Sequence, residues 1–355
     1  MKLSKTSTIN LVVGLIFALP VFLVLLGTVK KPYSDTLKYD FKQFAEDTSL
    51  SEKLTSQSIE VNAIDITPDN QKVVIGGSKG VIGIYQLNTG KLLQSLSGQN
   101  GENNISAVKV SPDGQKLIAG SDKGKLIIWN LRNSKKLAEV SNDNHGVLSI
   151  SISSDGTKAA IGYDNKRVKI LTLETSETES LKQFTLKPLL GHSSRVNGVS
   201  ISSDNGKIVS GSDDKTMRVW DVSSQAEIHQ NKDEEEVFSV AFIPRSETII
   251  GGLGNGRLKV WNPIQETEIE TSTESYSKEK HGQKVSSLAF SEIRNLLVSA
   301  SNDGSIKVWQ VNPLRHVQEL KKHTNYVSSV DISPDGKTII SGSRDQTIKV
   351  WKAQE

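Results

Sequence analysis

Apolar residues in this chain of 355 residues recur on a fixed frame, and they do so seven times. Seven strand-like segments end on Tyr85, Trp129, Leu171, Trp220, Trp261, Trp309 and Trp351, spaced by 41 to 49 residues. Counting back 24 residues from each ending reaches Val61, Ile105, Val147, Val196, Val237, Val285 and Val327. Three residues further on stand Ile64, Val108, Ile150, Val199, Val240, Leu288 and Val330, and two more reach Ile66, Val110, Ile152, Ile201, Phe242, Phe290 and Ile332. Each ending is preceded by Ile or Val. Apolar, mostly β-branched positions spaced by two or three residues predict short buried strands. The turns agree: Thr67-Pro68-Asp69-Asn70, Ser111-Pro112-Asp113-Gly114 and Ser333-Pro334-Asp335-Gly336 follow the first strand of their units. A period in the low forties marks a four-stranded unit repeated around a ring. The pattern therefore predicts one all-β domain of seven units over residues 54–355.

Only four residues follow Trp351, so the pattern leaves the seventh unit one strand short. Leu54 stands seven residues before Val61, the offset that Leu189 and Leu320 keep from Val196 and Val327. Leu54 to Glu60 is thus expected to supply the missing outer strand and close the ring without an open edge.

The fullest unit reads Gly191-His192, then Ser210-Gly211-Ser212-Asp213-Asp214, and ends Val219-Trp220-Asp221. On these residues the chain resembles the WD-repeat β-propellers over most of its length. The resemblance implies a hydrogen-bonded tetrad of His, Ser, Asp and Trp within a blade. Three units carry all four at separations of 18, 4 and 6 residues: His192, Ser210, Asp214, Trp220; His281, Ser299, Asp303, Trp309; and His323, Ser341, Asp345, Trp351. Such a connected chain of donors and acceptors is what makes polar burial tolerable. The other four units depart, with Lys79, Lys123, Asn165 and Asn255 at the Asp position and Ile75, Ala119, Ile161 and Gly251 at the Ser position. Packing is expected to hold those blades.

Residues 10–29 change the picture. Leu11 to Val29 carries no charge, is long enough to cross a hydrocarbon core and lacks a good small-x-small cleavage site. The segment is expected to be a transmembrane or signal-anchor helix after an N-terminal tail, residues 1–9. Lysines flank it on both sides; a short head with Lys2 and Lys5 favours a single-pass arrangement with the propeller on the extracytoplasmic side. Residues 30–53 form a linker, where Ser34 would cap a short amphipathic helix presenting Leu37, Phe41 and Phe44 on one face.

Composition removes several function classes. The chain has no cysteine, which excludes disulfides and thiol chemistry. Beyond residue 53, 36 basic side chains meet 35 acidic ones, a balance that argues against nucleic-acid binding through phosphate neutralisation. Three of the six histidines belong to tetrads, and His145, His229 and His316 have no second ligand at metal spacing. The run Gly251-Gly252-Leu253-Gly254-Asn255-Gly256 lacks the Lys-Ser or Lys-Thr of a nucleotide loop and leads into a strand. Nor does Asn302-Asp303-Gly304 make a calcium loop, because Gln310 stands where a bidentate Glu is needed. No catalytic residue, cofactor, metal or small-molecule substrate is expected.

What remains is surface. By the family resemblance, partners dock around the channel mouth, on residues flanking the recurrent apolar position and just before the tetrad Asp. Here those are Leu148, Arg195, Asn197, Asp213, Glu236, Phe238, Lys284, Ser286, Tyr326, Ser328 and Arg344, with Asp233-Glu234-Glu235-Glu236 on the same rim. Aromatic and Arg side chains are enriched among binding hot spots. The expected function is a non-enzymatic protein-interaction scaffold tethered to a membrane. Its rivals are an exported soluble propeller acting in envelope or surface assembly after signal cleavage, and a propeller enzyme acting on a small molecule in the channel. Against the enzyme, no carboxylates converge at the starts of the inner strands. Two longer stretches, Leu173 to Leu190 and Pro263 to Lys280, are rich in Glu, Ser and Thr and are expected to extend hairpins on the opposite face.

Overall fold

A computed structural model of the chain describes residues 43–54, 59–97, 103–141, 144–173, 186–265, 267–269, 279–311 and 313–354, all within one unit, Phe41–Glu355. Seven four-stranded antiparallel sheets succeed one another along the chain. Their inner strands are Val61–Ile66, Ile105–Val110, Val147–Ile152, Val196–Ile201, Val237–Phe242, Val285–Ser291 and Val327–Ile332. These blades, numbered 1 to 7, start on the residues the apolar frame marks.

Local chemistry explains each strand end. In the first turn of blade 2, Gly114 N–H donates to Ser111 O (2.8 Å), and Ser111 Oγ accepts the Lys116 N–H (2.9 Å). The turn needs φ near +68° at Gly114, a conformation that glycine adopts without a Cβ clash. Equivalent turns place Asn70 and Asn205 at φ 57° and 61°, the residue type that tolerates this region best after glycine.

Between blades, the first inner-strand residue packs on the preceding blade at a position too tight for a side chain. A Cβ at Gly76 would meet Ile105 Cγ2 at 2.5 Å, and Gly342 presses on Val61 in the same way across the join of blades 7 and 1. The core is therefore a series of inter-blade clusters. One joins Ala160, Val168 and Ile170 of blade 3 to Val196, Val199, Ile208 and Trp220 of blade 4.

The ring closes upstream of the expected place. Phe44–Glu46 forms the fourth strand of blade 7, pairing antiparallel with Ile348–Ala353 in the register Phe44↔Ala353, Ala45↔Lys352, Glu46↔Trp351. Phe44 is a strand residue, not part of a helical face, and it is 4% exposed in a cluster with Leu320, Val327 and Trp351. Its N–H donates to Gln318 Oε1 and its carbonyl accepts Gln318 Nε2–H, both at 2.8 Å, which ties the strand to blade 6. Lys349 Nζ reaches Glu46 Oε1 at 3.0 Å.

A helix, Thr48–Leu54, follows directly. Asp47 caps it, accepting the Leu50 N–H at 3.0 Å, and Ser51 Oγ accepts the Val350 N–H at 3.0 Å. Leu50 and Leu54, one helical turn apart, bury against Val61, Ile64, Tyr85, Ile348 and Val350 between blades 7 and 1. This corrects the strand expected at Leu54 to Glu60. Leu54 fills from a helix the kind of slot beside the next inner strand that Leu189 and Leu320 fill from strands. Ile59 and Glu60 are not strand, and residues 55–58 lie outside the described part. The propeller thus begins at Phe44, within what the sequence suggested was linker.

The expected anchor, residues 10–29, and most of the linker lie outside the described residues. Among the described residues no helix is long and apolar enough to cross a membrane. Most of each longer stretch, residues 174–185 and 270–278, is also outside them.

Candidate functional site

Every inner strand breaks register between its first and third residues. A bulge turns the extra residue out of the ladder and re-aims its side chain. The bulged residues are Asn62, Ser106, Leu148, Asn197, Phe238, Ser286 and Ser328, and all line the central channel or its mouth. Five of them are among the predicted rim residues.

The bulge gives these side chains two different roles. Asn62 Nδ2 donates to Ile105 O (3.1 Å), Ser106 Oγ to Val147 O (2.5 Å), Asn197 Nδ2 to Val237 O (3.0 Å) and Ser286 Oγ to Val327 O (2.5 Å). Each bond crosses to the next blade, so Asn197 and Ser286 are inter-blade ties as well as rim residues. Leu148 and Phe238 have no such bond to make. Ser328 Oγ is buried without a hydrogen-bond partner among the described residues.

Outside the bulges, the rim backbone is pinned. Arg195, Glu236, Lys284 and Tyr326 accept through their carbonyls the N–H groups of Asp213 (3.0 Å), Gly254 (2.9 Å), Asn302 (3.1 Å) and Arg344 (3.0 Å). The side chains above this frame pair cation with ring: Lys284 Nζ stands 4.1 Å from the Phe238 ring centroid, and the Arg344 guanidinium 5.8 Å from that of Tyr326. Tyr326 is 38% exposed, a large aromatic surface held in place rather than buried. Burial lowers the Lys284 ammonium pKa; Asp213 and Glu236 oppose that shift, and Arg195 and Arg344 add to it. Side chains from blades 4, 5, 6 and 7 therefore act on one point of the mouth. Within the acidic run, Asp233 is bound to Lys259 at 2.8 Å, and Asp213 accepts from Asn197 Nδ2 at 2.5 Å.

The three tetrads form as the resemblance implied. In blade 4, Trp220 Nε1–H donates to Ser210 Oγ (2.8 Å), Ser210 Oγ lies 2.7 Å from His192 Nε2, and His192 Nδ1 lies 2.8 Å from Asp214 Oδ2. With a carboxylate at Nδ1, that nitrogen carries the proton, so Nε2 accepts from the serine. Blade 7 repeats the arrangement through His323, Ser341, Asp345 and Trp351. Blade 6 keeps it with a longer His281–Asp303 approach of 3.5 Å and Ser305 Oγ at 2.9 Å from His281 Nδ1. A fifth member escaped the sequence reading: Thr216, Ser305 and Thr347, two residues after each Asp, donate to its carboxylate at 2.6 Å. Burial alone would raise these carboxyls. Hydrogen bonds from His, hydroxyl and backbone N–H outweigh it and hold Asp214, Asp303 and Asp345 far below the usual carboxylate range.

Where the tetrad is absent, the cost is visible. In blade 2, where Ala119 stands at the tetrad Ser position, Trp129 Nε1 is buried without a partner among the described residues, and the fully buried Tyr163 fills blade 3 with its hydroxyl likewise unpartnered. His145 does have a neighbour, Asp164, at 3.5 Å, and His316 stacks edge-on against Trp309 at 5.1 Å. Among the described residues no three His, Cys, Asp or Glu side chains converge as metal ligands.

One constellation was missed altogether. The channel encloses about 350 Å³, and Asp65, Lys109 and Asp331 line it from blades 1, 2 and 7. Lys109 Nζ is ion-paired with Asp65. Carboxylates do converge on the inner strands, at the fifth residue rather than at the starts. The available signal was a charge at a strand position where other blades carry Ser or Ala.

Residues 182–221, 272–310 and 314–352 match the WD domain, G-beta repeat family. Those are the segments that end in Trp220, Trp309 and Trp351. The chain carries WD repeats within a seven-bladed β-propeller. Residues 41–176 of this propeller, from the closing strand through the third strand of blade 3, match the Vps8 beta-propeller family instead. The tetrad-bearing blades are thus the ones the repeat family recognises. Among curated proteins, the propeller is 29% identical over 159 residues to a U3 small nucleolar RNA-associated protein 15 homolog of Xenopus laevis, covering 44% of this chain and 28% of that protein. It is 31% identical over 141 residues to a guanine nucleotide-binding protein subunit beta-like protein of Encephalitozoon cuniculi (37% and 41%). A third relative is transcription factor unc-37 of Caenorhabditis elegans, 26% identical over 122 residues (34% and 19%). The matched segments span between about a fifth and two fifths of these relatives' lengths.

Proposed function

We propose that this WD-repeat propeller is a non-enzymatic platform that docks a protein partner at the channel mouth and is tethered to a membrane by its N-terminal apolar segment. The carrying observation is the mouth of blades 4 to 7. There a hydrogen-bonded backbone frame presents the Phe238–Lys284 and Tyr326–Arg344 pairs, with Arg195 beside them. Rigid aromatic and cationic side chains lose little entropy on binding, which is why such groups dominate interface energetics. Leu148 and Glu236 complete the contact surface, with Ser328 lining the channel beneath it, while Asn197, Asp213 and Ser286 hold its shape.

The experiment is cross-linking of the full-length chain in its membrane fraction, compared with a Phe238→Ala/Tyr326→Ala/Arg344→Ala variant of unchanged thermal midpoint. Loss of a specific cross-linked protein supports the mouth as the docking site, whereas an identical set of products moves docking elsewhere. The tether rests on the uncharged run Leu11 to Val29. It predicts that the chain resists alkaline carbonate extraction and keeps its amino terminus uncleaved. With the propeller on the extracytoplasmic side, external protease digests it in intact cells. Release by carbonate, or a mature terminus beyond residue 29, defeats the tether.

A further inference from the structure

The fifth residue of each inner strand reads, in order, Asp65, Lys109, Ser151, Ser200, Ala241, Ala289 and Asp331. Where this side chain can accept a hydrogen bond, it takes the backbone N–H of the next blade's sixth residue. Ser151 Oγ accepts Ile201 N–H (3.1 Å) and Ser200 Oγ accepts Phe242 N–H (3.3 Å). Asp331 Oδ2 accepts Ile66 N–H (2.7 Å) and Asp65 Oδ2 accepts Val110 N–H (2.7 Å). A neutral serine suffices for this bond between blades 3, 4 and 5. Carboxylates perform it between blades 7, 1 and 2, and the first of these junctions is where the last blade of the propeller meets the first.

The charges around Asp331 are few. From blade 1 comes Asp65, and from blade 2 comes Lys109, which is ion-paired with Asp65. The strands Val285–Ser291, Leu296–Ser301 and Thr338–Ser343 packed beside it carry no charged residue. Lys307, on the remaining neighbouring strand Ser305–Gln310, is paired with Glu319 at 3.2 Å. Among the described residues Asp331 accepts from Ile66 N–H and from Ile332 N–H (2.9 Å), and it lines the central channel half-buried.

We propose that Asp331, Asp65 and Lys109 form a proton-sensitive latch across the closing seam, in which ring closure is tightest while Asp331 keeps its proton and weakens as it ionises. One ammonium can neutralise one carboxylate, and the second must stay protonated or leave the triad with a net negative charge. The electrostatics agree. Burial raises the Asp331 pKa, Lys109 lowers it and Asp65 raises it again, leaving it at about 7. Burial also raises Asp65, against the pull of Lys109. Burial lowers Lys109, but its two carboxylate neighbours push it above the usual lysine range, so it stays charged.

The sign follows from linkage. The folded chain holds a proton that the unfolded chain releases from about pH 3.8 upward, so the latch's contribution is complete below that pH. It is lost as pH rises through about 7. Each pH unit in between weakens folding by up to tenfold. Burial lowers the pKa of His281 and His316, which makes stability rise with pH up to about 6.5, the opposite trend. Comparison with a variant cancels that contribution.

The experiment measures the folding equilibrium of the full-length chain by urea denaturation from pH 5 to pH 8, in the wild type and in Asp331→Ser. Serine is what blades 3 and 4 already carry there, so the inter-blade bond survives without the titrating group. The wild-type folding constant relative to Asp331→Ser is expected to fall by on the order of a hundredfold across that range. In Lys109→Met the fall is expected to continue above pH 8, because the opposing charge is gone. A ratio constant within about threefold overturns the latch, and so does a Lys109→Met profile identical to the wild type. If Asp331→Ser does not fold, Asp331→Asn is compared on the same two criteria.

Discussion

Replacing Phe44 by Ala addresses the seam from its covalent end. The side chain is 4% exposed and packs with Leu320, Val327 and Trp351. Burying a Phe removes roughly 150–200 Å² from water, which at about 25 cal/mol per Å² corresponds to about 4–5 kcal/mol. Core Phe→Ala replacements cost about 3–5 kcal/mol once the cavity is included. Both bonds to Gln318 use the Phe44 backbone and survive the substitution, so the loss reads packing alone. Urea denaturation followed by tryptophan fluorescence suits the assay, because Trp351 lies in the same cluster. Phe44→Ala is expected to lower stability by about 3 kcal/mol or more, and the exposed Glu52→Ala by no more than about 0.5 kcal/mol. Leu54→Ala would not discriminate, since Leu54 is buried (1% exposed) whether it belongs to a helix or a strand. A Phe44→Ala loss below about 1 kcal/mol would refute closure by this strand.

Asp303→Ala removes the acceptor for the Gly282 N–H and for both Ser305 donors, and should cost about 1–3 kcal/mol by thermal denaturation. The stability contributed by Asp214, Asp303 and Asp345 is present above the ordinary carboxylate value of 3.8 and is lost as pH falls below it. Circular dichroism below pH 4 should therefore show a shallower acid transition in Asp303→Ala than in the wild type; equal slopes would contradict the shift. Ala119→Ser offers the Trp129 Nε1–H, unpartnered among the described residues, the acceptor that Ser210 gives Trp220, and should stabilise by up to about 1 kcal/mol. A lower melting temperature in that variant would show that the blade 2 site has no room for the hydroxyl.

The blade frame was legible because burial at both faces of a strand demands apolar residues at fixed offsets, and all seven inner strands begin where those offsets fell. The tetrads were legible for a related reason: residue types and separations together specify a closed set of donors and acceptors. The closing strand was not. Phe44–Glu46 is three residues long and has no alternation to detect, whereas Leu54 kept the offset of a strand residue while belonging to a helix capped by Asp47. Five of the expected rim residues, Leu148, Asn197, Phe238, Ser286 and Ser328, sit on bulges that line the channel, and their roles differ. No sequence pattern separates Asn197, bonded to Val237 O, from Phe238, which carries the Lys284 pair. Asp65, Lys109 and Asp331 lie far apart in the chain, and only the ring brings them together.

Because the chain has no cysteine, the closure can be read chemically with a single engineered pair. Ala45 and Lys352 are register partners on neighbouring antiparallel strands, a separation within disulfide range. In Ala45→Cys/Lys352→Cys, peptide mapping after mild oxidation should recover a linked pair of peptides spanning residues 45 and 352 in nearly all molecules. Two freely alkylated thiols in the folded, oxidised chain would contradict a ring sealed by its leading strand.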